Sequence, residues 1–393
     1  MKRIRAIGAL LLREAKIIAK DHSLLLTLLI APLLYAFFYG SIYQYKEEEN
    51  VKLAFVDDDN TSLSRMLKQQ VSNLQMASVI SVNNITEAKE MMYKGNCQGF
   101  IYVEKGLESK VLRLQQADVV LALNAARFLP SSDLLGAITQ VSLTVSAGVR
   151  LKYFQTQGLT EQMAMSEVMP VNLDYRPLYN VRSNYGSFLL PGLLALILQQ
   201  TLLIGLSGSV SGERQKRTVG SWLDISRNNL SLALYGKGAF YLLLFLCYAV
   251  FFLTVNFNIL HLPVRGSVGA LGFLMFLFLF TLIPMGVFIG SLFDTQVMNV
   301  QMMAFSTYPI FLITGYTFPL EALPEPVQCI SSLLPTTPFI KSYISVVQNG
   351  ATVMQNLPSI VHLLVLLLLY TLLAVWRIGK LSAVSHQLSA KTL

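Results

Sequence analysis

Residues 268–293 read VGALGFLMFLFLFTLIPMGVFIGSLF, and no charged side chain interrupts them. A helix needs about 20 such residues to cross the hydrocarbon core of a bilayer. The chain as a whole suits the same solvent: of its 393 residues, 53% are hydrophobic and 13% are charged, whereas ordinary soluble domains are about 25% charged. The composition therefore predicts an integral membrane protein.

Five further stretches have the length and apolar character of membrane helices. They are Leu24–Tyr43, Tyr185–Val210, Ala239–Leu260, Val297–Phe318 and Ile360–Ile378. The fourth and fifth spans of the resulting six are joined by a very short turn around Asp294 and Thr295, which predicts an antiparallel hairpin. We expect a polytopic α-helical membrane protein with six transmembrane helices.

Basic residues mark one side of these spans. They are Lys2, Arg3, Arg5, Arg13, Lys16 and Lys20 before the first span, Arg214, Lys216, Arg217, Arg227 and Lys237 after the second, and Arg377, Lys380 and Lys391 after the sixth. Since short loops rich in Lys and Arg stay in the cytoplasm, both termini are expected there, in a cytoplasmic (inner) membrane. The net charge of +8 is explained by these loops, so no nucleic-acid partner is expected.

Three shorter regions outside the spans have distinct patterns. Residues 1–23 are expected to form a cytoplasmic amphipathic helix in the lipid interface, or else a basic flank that orients the first span, residues 24–44. Residues 321–357, between the fifth and sixth spans of the 185–378 region, are proline-rich and apolar, which predicts short re-entrant helices. Residues 379–393 are expected to form a cytoplasmic tail.

Residues 45–184 differ in kind and are long enough for one domain. Apolar runs predict strands at Val51–Val56, Ala77–Val82, Gly99–Val103, Val119–Leu123 and Val171–Leu178. Helical periodicity covers Thr61–Gln75, begins again at Thr86 and extends over most of Leu129–Met165. An inserted extracytoplasmic α/β domain with helical arms is therefore expected between the first two spans.

Catalytic and metal-binding motifs are missing from the sequence. It has no Walker A, GxSxG, HExxH or GxGxxG pattern, and its four histidines are scattered. Its cysteines lack metal-ligand spacing, and a disulfide between Cys97 and Cys329 is left open. No catalytic residue, metal site or cofactor of its own is expected.

Residues 212–237 form the most informative loop. Glu213, Arg214 and Arg217 precede Thr218 and an amphipathic stretch that contains Trp222. A loop that only sets topology needs the positive charges, whereas a docking helix also needs apolar residues to fill a groove. Both interpretations remain open from the residues alone.

Several short motifs occur in the order of one known family. They are Leu190-Pro191-Gly192, Glu213-Arg214 with Thr218, Gly236-Lys237, Phe318-Pro319-Leu320-Glu321 with Pro324, and Pro335-Thr336-Thr337-Pro338. With the six spans, they make nearly the whole chain resemble a permease subunit of the type-2 ABC exporters, in the branch with a large extracytoplasmic domain. Arg217 stands where the family's coupling motif has glycine.

The resemblance implies partners and roles. It implies a dimer with a second permease copy or a paralogue, cytoplasmic ABC ATPase subunits that bind ATP and Mg, surrounding lipids, and an optional periplasmic adaptor. The coupling residues would be Glu213, Arg214, Arg217, Thr218 and Trp222. The re-entrant motif would comprise Phe318, Pro319, Glu321, Pro324 and Pro335.

A substrate path would be lined by polar residues on the spans. Candidates are Gln199, Gln200, Ser207 and Gln301, which could equally hydrogen-bond between packed helices. The lack of charged lining residues favours an amphipathic or apolar substrate such as a drug, lipid or peptide. Two other classes remain, a membrane scaffold without transport and, with little support, an intramembrane enzyme.

Overall fold

The computed structural model describes residues 2–42, 50–113, 115–169, 176, 178–180 and 185–391. The chain divides into two compact units. We call Met1–Gln44 with Pro177–Leu393 the helical unit, and Tyr45–Arg176 the inserted unit. The inserted unit ends before residue 184, the limit expected from the sequence.

The described helices are numbered here in chain order. They are α1 (Lys2–Lys20), α2 (His22–Ile42), α3 (Ser62–Ser72), α4 (Ile85–Tyr93), α5 (Leu107–Leu112), α6 (Phe128–Thr156), α7 (Glu161–Val168), α8 (Tyr185–Gln215), α9 (Val219–Ile225), α10 (Leu230–Ile259), α11 (Val268–Gly290), α12 (Gln296–Ile313), α13 (Glu325–Ser332), α14 (Thr336–Val347) and α15 (Leu357–Lys391). The strands are β1 (Val51–Asp57), β2 (Ala77–Val82), β3 (Gly99–Val103) and β4 (Val119–Leu123).

Polar side chains fix where three long helices begin. Asp21 accepts hydrogen bonds from the first amides of α2, Asn229 from the Leu232 amide in α10, and Ser267 from the Ala270 amide in α11. Such caps satisfy backbone donors that have no partner within the helix. The long apolar runs therefore start at defined residues.

Within the described ranges, six helices are long and apolar enough to cross a membrane, and they confirm a polytopic helical protein. Five of them coincide with predicted spans. The remaining helix of these six is α6, which is the least apolar of them and lies in the inserted unit. The predicted fifth span is α12, whose 18 residues extend about 27 Å and pack along α8.

Helix α8 lies at the centre of the helical unit. It is buried along nearly its whole length and contacts α2, α10, α11, α12 and α14. A Cβ on Gly290 of α11 would lie 2.4 Å from the Ser207 carbonyl oxygen. Glycine is therefore needed where α11 crosses α8, as small residues commonly are where membrane helices meet closely.

The predicted short turn and the broken segment after it are both present, but α12 packs along α8 and not against α11, so the two spans do not form the expected packed hairpin. Helix α11 ends at Gly290 and α12 begins at Gln296. The following segment contains α13 and α14, with 3-10 turns at Leu320–Ala322 and Met354–Asn356. Helix α14 packs against α8, α11 and α15, while α15 continues as a helix through most of the expected tail.

The inserted unit is a four-stranded sheet in the order β2-β1-β3-β4, with only β4 antiparallel. Leu53 and Phe55 face a core with α3, α5 and α6, whereas Ala54 and Val56 face one with α4. Helices therefore cover both faces of the sheet. Four predicted strands are confirmed, and most of the predicted Val171–Leu178 strand lies outside the described residues.

The three cysteines are free thiols. Cys97 is buried in the inserted unit, and Cys329 is exposed on α13. The disulfide that the sequence left open is therefore not formed.

Candidate functional site

One face of α1 carries a buried acid. Ala6, Leu10, Glu14 and Ile18 are buried, and their four-residue spacing puts them on one side of the helix, which packs against α10. The Glu14 side chain has no exposed surface. Because an unpaired buried charge is strongly destabilising, this carboxylate requires a basic partner within the protein.

Lys237 on α10 is that partner. Its Nζ lies 2.6 Å from Oε1 of Glu14 and 3.2 Å from Oε1 of Glu213, near the end of α8. A Cβ on Gly236 would lie 2.4 Å from a Leu10 methyl carbon, and one on Gly238 would lie 2.1 Å from a methyl carbon on α11. The two glycines let α10 approach α1 and α11 closely, and Lys237 lies between the two glycines.

Arg13 binds Glu213 from the other side. Its guanidinium pairs with both carboxylate oxygens, and the Nη2–Oε2 distance is 2.7 Å. Burial lowers the pKa of Arg13, but the hydrogen bond and charge of Glu213 outweigh burial and raise that pKa above its ordinary value. We call this set the ionic cluster; it consists of Arg13, Glu14, Glu213 and Lys237.

Hydroxyl groups satisfy the remaining oxygens of the ionic cluster. Ser209 and Tyr241 donate to Oε2 of Glu14 at 2.9 and 3.3 Å. Thr218 donates to Oε2 of Glu213 at 2.6 Å. With two acids, two bases and these donors, the cluster is neutral and hydrogen-bonded, the condition under which buried ions are tolerated.

Trp222 fixes the short helix α9 against the same structure. Its side chain is fully buried, and its indole nitrogen donates to the carbonyl of Ala233 at 3.2 Å. The Lys237 Nζ lies 5.2 Å from the centre of its ring, within the range of a cation–π interaction. Helix α9 is thereby attached to the start of α10 and to the ionic cluster.

Arg217 lies in the turn between α8 and α9. Its backbone φ is 54°, in the left-handed region that favours glycine. Glycine at this position of the family motif would adopt the conformation at lower cost. Arg217 therefore keeps the turn of the motif despite its side chain, which is exposed.

Arg214 makes a separate connection. Its Nη1 donates to the carbonyls of Ser291 and Phe293, both at 2.7 Å, and its Nη2 pairs with Asp294. These carbonyls follow the end of α11, where a positive charge is favourable. Arg214 therefore links the end of α8 to the turn between α11 and α12.

The structure revises the expected contact role of two coupling residues. Glu213, Thr218 and Trp222 lie together, but Glu213 is 3% exposed and Trp222 is 0% exposed. Neither can insert into a partner's groove in this conformation, so any part they take in coupling is indirect. Sequence reasoning missed Glu14 and the pairing of Lys237, although an acid on the apolar face of α1 was a usable signal.

A small cleft opens beside the ionic cluster. Its volume is about 160 Å³, and its lining includes Arg13, Asp21, Lys216 and Gln296. Sites for drug-sized ligands are about 300–1,000 Å³. The cleft is therefore too small for such a ligand.

Three of the four candidate path residues are buried. They are Gln199, Gln200 and Ser207. Their hydrogen-bond partners on other helices are Thr336, Thr307 and Asn299, in that order. In this conformation the three fit the helix-packing alternative, whereas Gln301 is exposed on α12.

Prolines organise the expected re-entrant motif. Pro319, Pro324 and Pro335 each stand immediately before a short helix, where their fixed φ is compatible with a helix start. Phe318 and Glu321 are exposed. The motif contacts the helical core through Thr336, which follows Pro335 and bonds to α8, and it is separate from the ionic cluster.

The chain belongs to the ABC-2 family of transporters: the sequence model described as ABC-2 family transporter protein matches residues 22–376. It is therefore the membrane permease subunit of an ABC exporter and a multi-pass membrane protein. This confirms the resemblance drawn from its motifs. In the described residues, no group of His, Cys, Asp and Glu side chains could hold a metal ion.

Curated relatives agree with the family over most of the chain. The chain is 21% identical to the probable multidrug ABC transporter permease YbhS of Escherichia coli, over 93% of each protein. It is 23% identical to the linearmycin resistance permease protein LnrN of Bacillus subtilis, over 90% of this chain and 93% of that one. Its identity to YbhR of Escherichia coli is 26%, over 49% of this chain and 54% of YbhR.

Proposed function

We propose that this permease moves an amphipathic or apolar substrate, such as a drug, lipid or peptide, outward across the cytoplasmic membrane. Separate cytoplasmic ABC subunits hydrolyse ATP with Mg, since this chain has no Walker A motif. The permease works as a pair with a second copy or a paralogue. The names of the relatives, multidrug and linearmycin resistance permeases, support this substrate class.

The observation that carries the proposal is the attachment of α9. Trp222 bonds this short helix to α10, Ser221 accepts a hydrogen bond from Arg13 on α1, and Thr218 at its start donates to Glu213 on α8. A force applied to α9 therefore acts on these three helices together, because the buried Trp222 and the buried charges of the ionic cluster cannot be separated from their partners cheaply. Such an element is suited to pass ATPase movement to the membrane helices.

The exposed residues around α9 are the proposed contact with the ATPase. They are Lys216, Arg217, Ser221, Asp224 and Arg227. The set is polar and has a net positive charge, which suits an acidic groove on the partner. This surface replaces the direct contact expected for Glu213 and Trp222.

Reversal of one surface charge tests this contact. Arg227→Glu should lower co-purification of ATPase activity with the tagged chain from native membranes by about tenfold, since like charges across an interface are strongly unfavourable. Lys89→Glu makes the same charge change at an exposed position of the inserted unit and serves as the control. Equal loss in both variants, or no co-purifying ATPase with the wild type, would contradict the proposal.

A further inference from the structure

The inserted unit contains a groove that the transport proposal does not use. Helices α3, α5 and α6 enclose a half-open volume of about 710 Å³. Its apolar lining comprises Leu63, Met66, Val111, Leu112, Val145 and Val149. Both the volume and the lining match those of pockets that hold a drug-sized ligand.

The groove exists because α6 covers the sheet incompletely. Leu134 and Ile138 are buried against the sheet, and Val145 and Val149 continue that face. Gly148 lies between the last two, and a Cβ there would have no atom within 4 Å. On the opposite wall, Leu112 is 70% exposed and Met66 37%, so apolar surface faces an open space.

The mouth of the groove is basic. Arg150 and Lys152 line it and are exposed, and neither forms an ion pair among the described residues. The one acid in the lining, Glu108, accepts a hydrogen bond from the Ser62 hydroxyl. Lys152 lies one helical turn after Gly148, so its ammonium group stands on the groove side of α6.

We propose that this groove binds an anionic amphiphile. The apolar body of the ligand occupies the space beside Gly148, and its carboxylate, sulfonate or phosphate lies at Lys152 and Arg150. Flexible methionine side chains such as Met66 suit a site that accepts apolar bodies of varied shape. The site lies wholly within the inserted unit, so it does not depend on the proposed ATPase contact.

A photoreactive medium-chain fatty acid tests the site on the full chain in lipid nanodiscs. After irradiation, mass spectrometry should find saturable labelling of residues 62–70 and 144–156 that unlabelled fatty acid displaces. Gly148→Leu places a side chain in the groove, and leucine favours a helix more than glycine does, so α6 is retained. The variant should reduce this labelling about tenfold, because the ligand loses apolar contact with the groove. Gly136→Leu, on the same helix at a position that is also open but outside the groove lining, should leave it unchanged.

A second comparison tests the anionic group. Lys152→Glu should weaken labelling by the fatty acid but leave labelling by the matching uncharged alcohol unchanged. Equal effects on both probes, or none on either, would overturn the anionic assignment. Labelling confined to lipid-facing helices, or unaffected by Gly148→Leu, would overturn the site itself.

Discussion

At the scale of single residues, Lys237 holds the ionic cluster together. Its ammonium group bridges two acids that come from α1 and α8, and none of the three side chains has more than 2% exposure. Loss of this cation would leave Glu14 with only one basic contact, to Arg13 at 3.5 Å. Arg13 would still neutralise Glu213.

Lys237→Met should therefore destabilise the helical unit by about 3–5 kcal/mol, the usual cost of breaking a buried pair. Thermal unfolding of the purified chain in detergent measures this change. Lys216→Met removes a lysine that is exposed and should shift the unfolding midpoint little. The double variant Glu14→Gln with Lys237→Met removes a neutral pair and should recover part of the stability; a double variant no better than the single one would contradict this account.

At the scale of elements, α12 has one packed side and one open side. It packs along α8, while Met298, Phe305 and Tyr308 are 56%, 78% and 70% exposed. The candidate path residue Gln301 is also exposed on this helix. Lipid is one partner for such a face. The pairing implied by the family offers another, which is the second permease.

We predict that the exposed side of α12 faces the second permease in the assembled exporter. In a cysteine-free background, Phe305→Cys should cross-link to a partner chain in native membranes with a short bifunctional reagent. Leu243→Cys is the control, because Leu243 is 55% exposed on a different helix, α10. Absence of cross-linking at position 305, or equal cross-linking at both positions, would count against this pairing.

At the scale of the whole molecule, the distribution of charge predicts the orientation. The loops before the first span, after the second and after the sixth carry most of the basic residues of the helical unit. The positive-inside rule predicts that these loops are cytoplasmic. Residues 45–184 would then lie outside, joined to α2 and α8.

Cysteine labelling in intact cells tests that orientation. In a cysteine-free background, a membrane-impermeant reagent should modify Asp58→Cys, which is exposed on the inserted unit, but not Lys216→Cys, which is exposed after α8. Both positions should react after the membrane is permeabilised, which controls for accessibility. The reverse pattern in intact cells would exclude the proposed topology.

The sequence determined the class of protein and the four strands of the inserted sheet. It also determined five of the six helices that are long and apolar enough to cross a membrane. These features depend on local hydropathy and periodicity, which can be read along one stretch of chain. The motif order also identified the family. Composition alone did not separate α6 from α12. Helix α6 is apolar enough to span a membrane but covers a sheet, whereas α12 is more polar and packs along α8.

Only the tertiary structure decided which contacts the charged and aromatic residues of the 212–237 segment make. Glu14 and Lys237 are 223 positions apart in the chain, so no local pattern could reveal their pairing. The sequence suggested a surface role for Glu213 and Trp222, but packing against α1 and α10 buries both. Burial and charge pairing depend on contacts between distant segments, and the left-handed backbone of Arg217 is set by the turn that joins two packed helices.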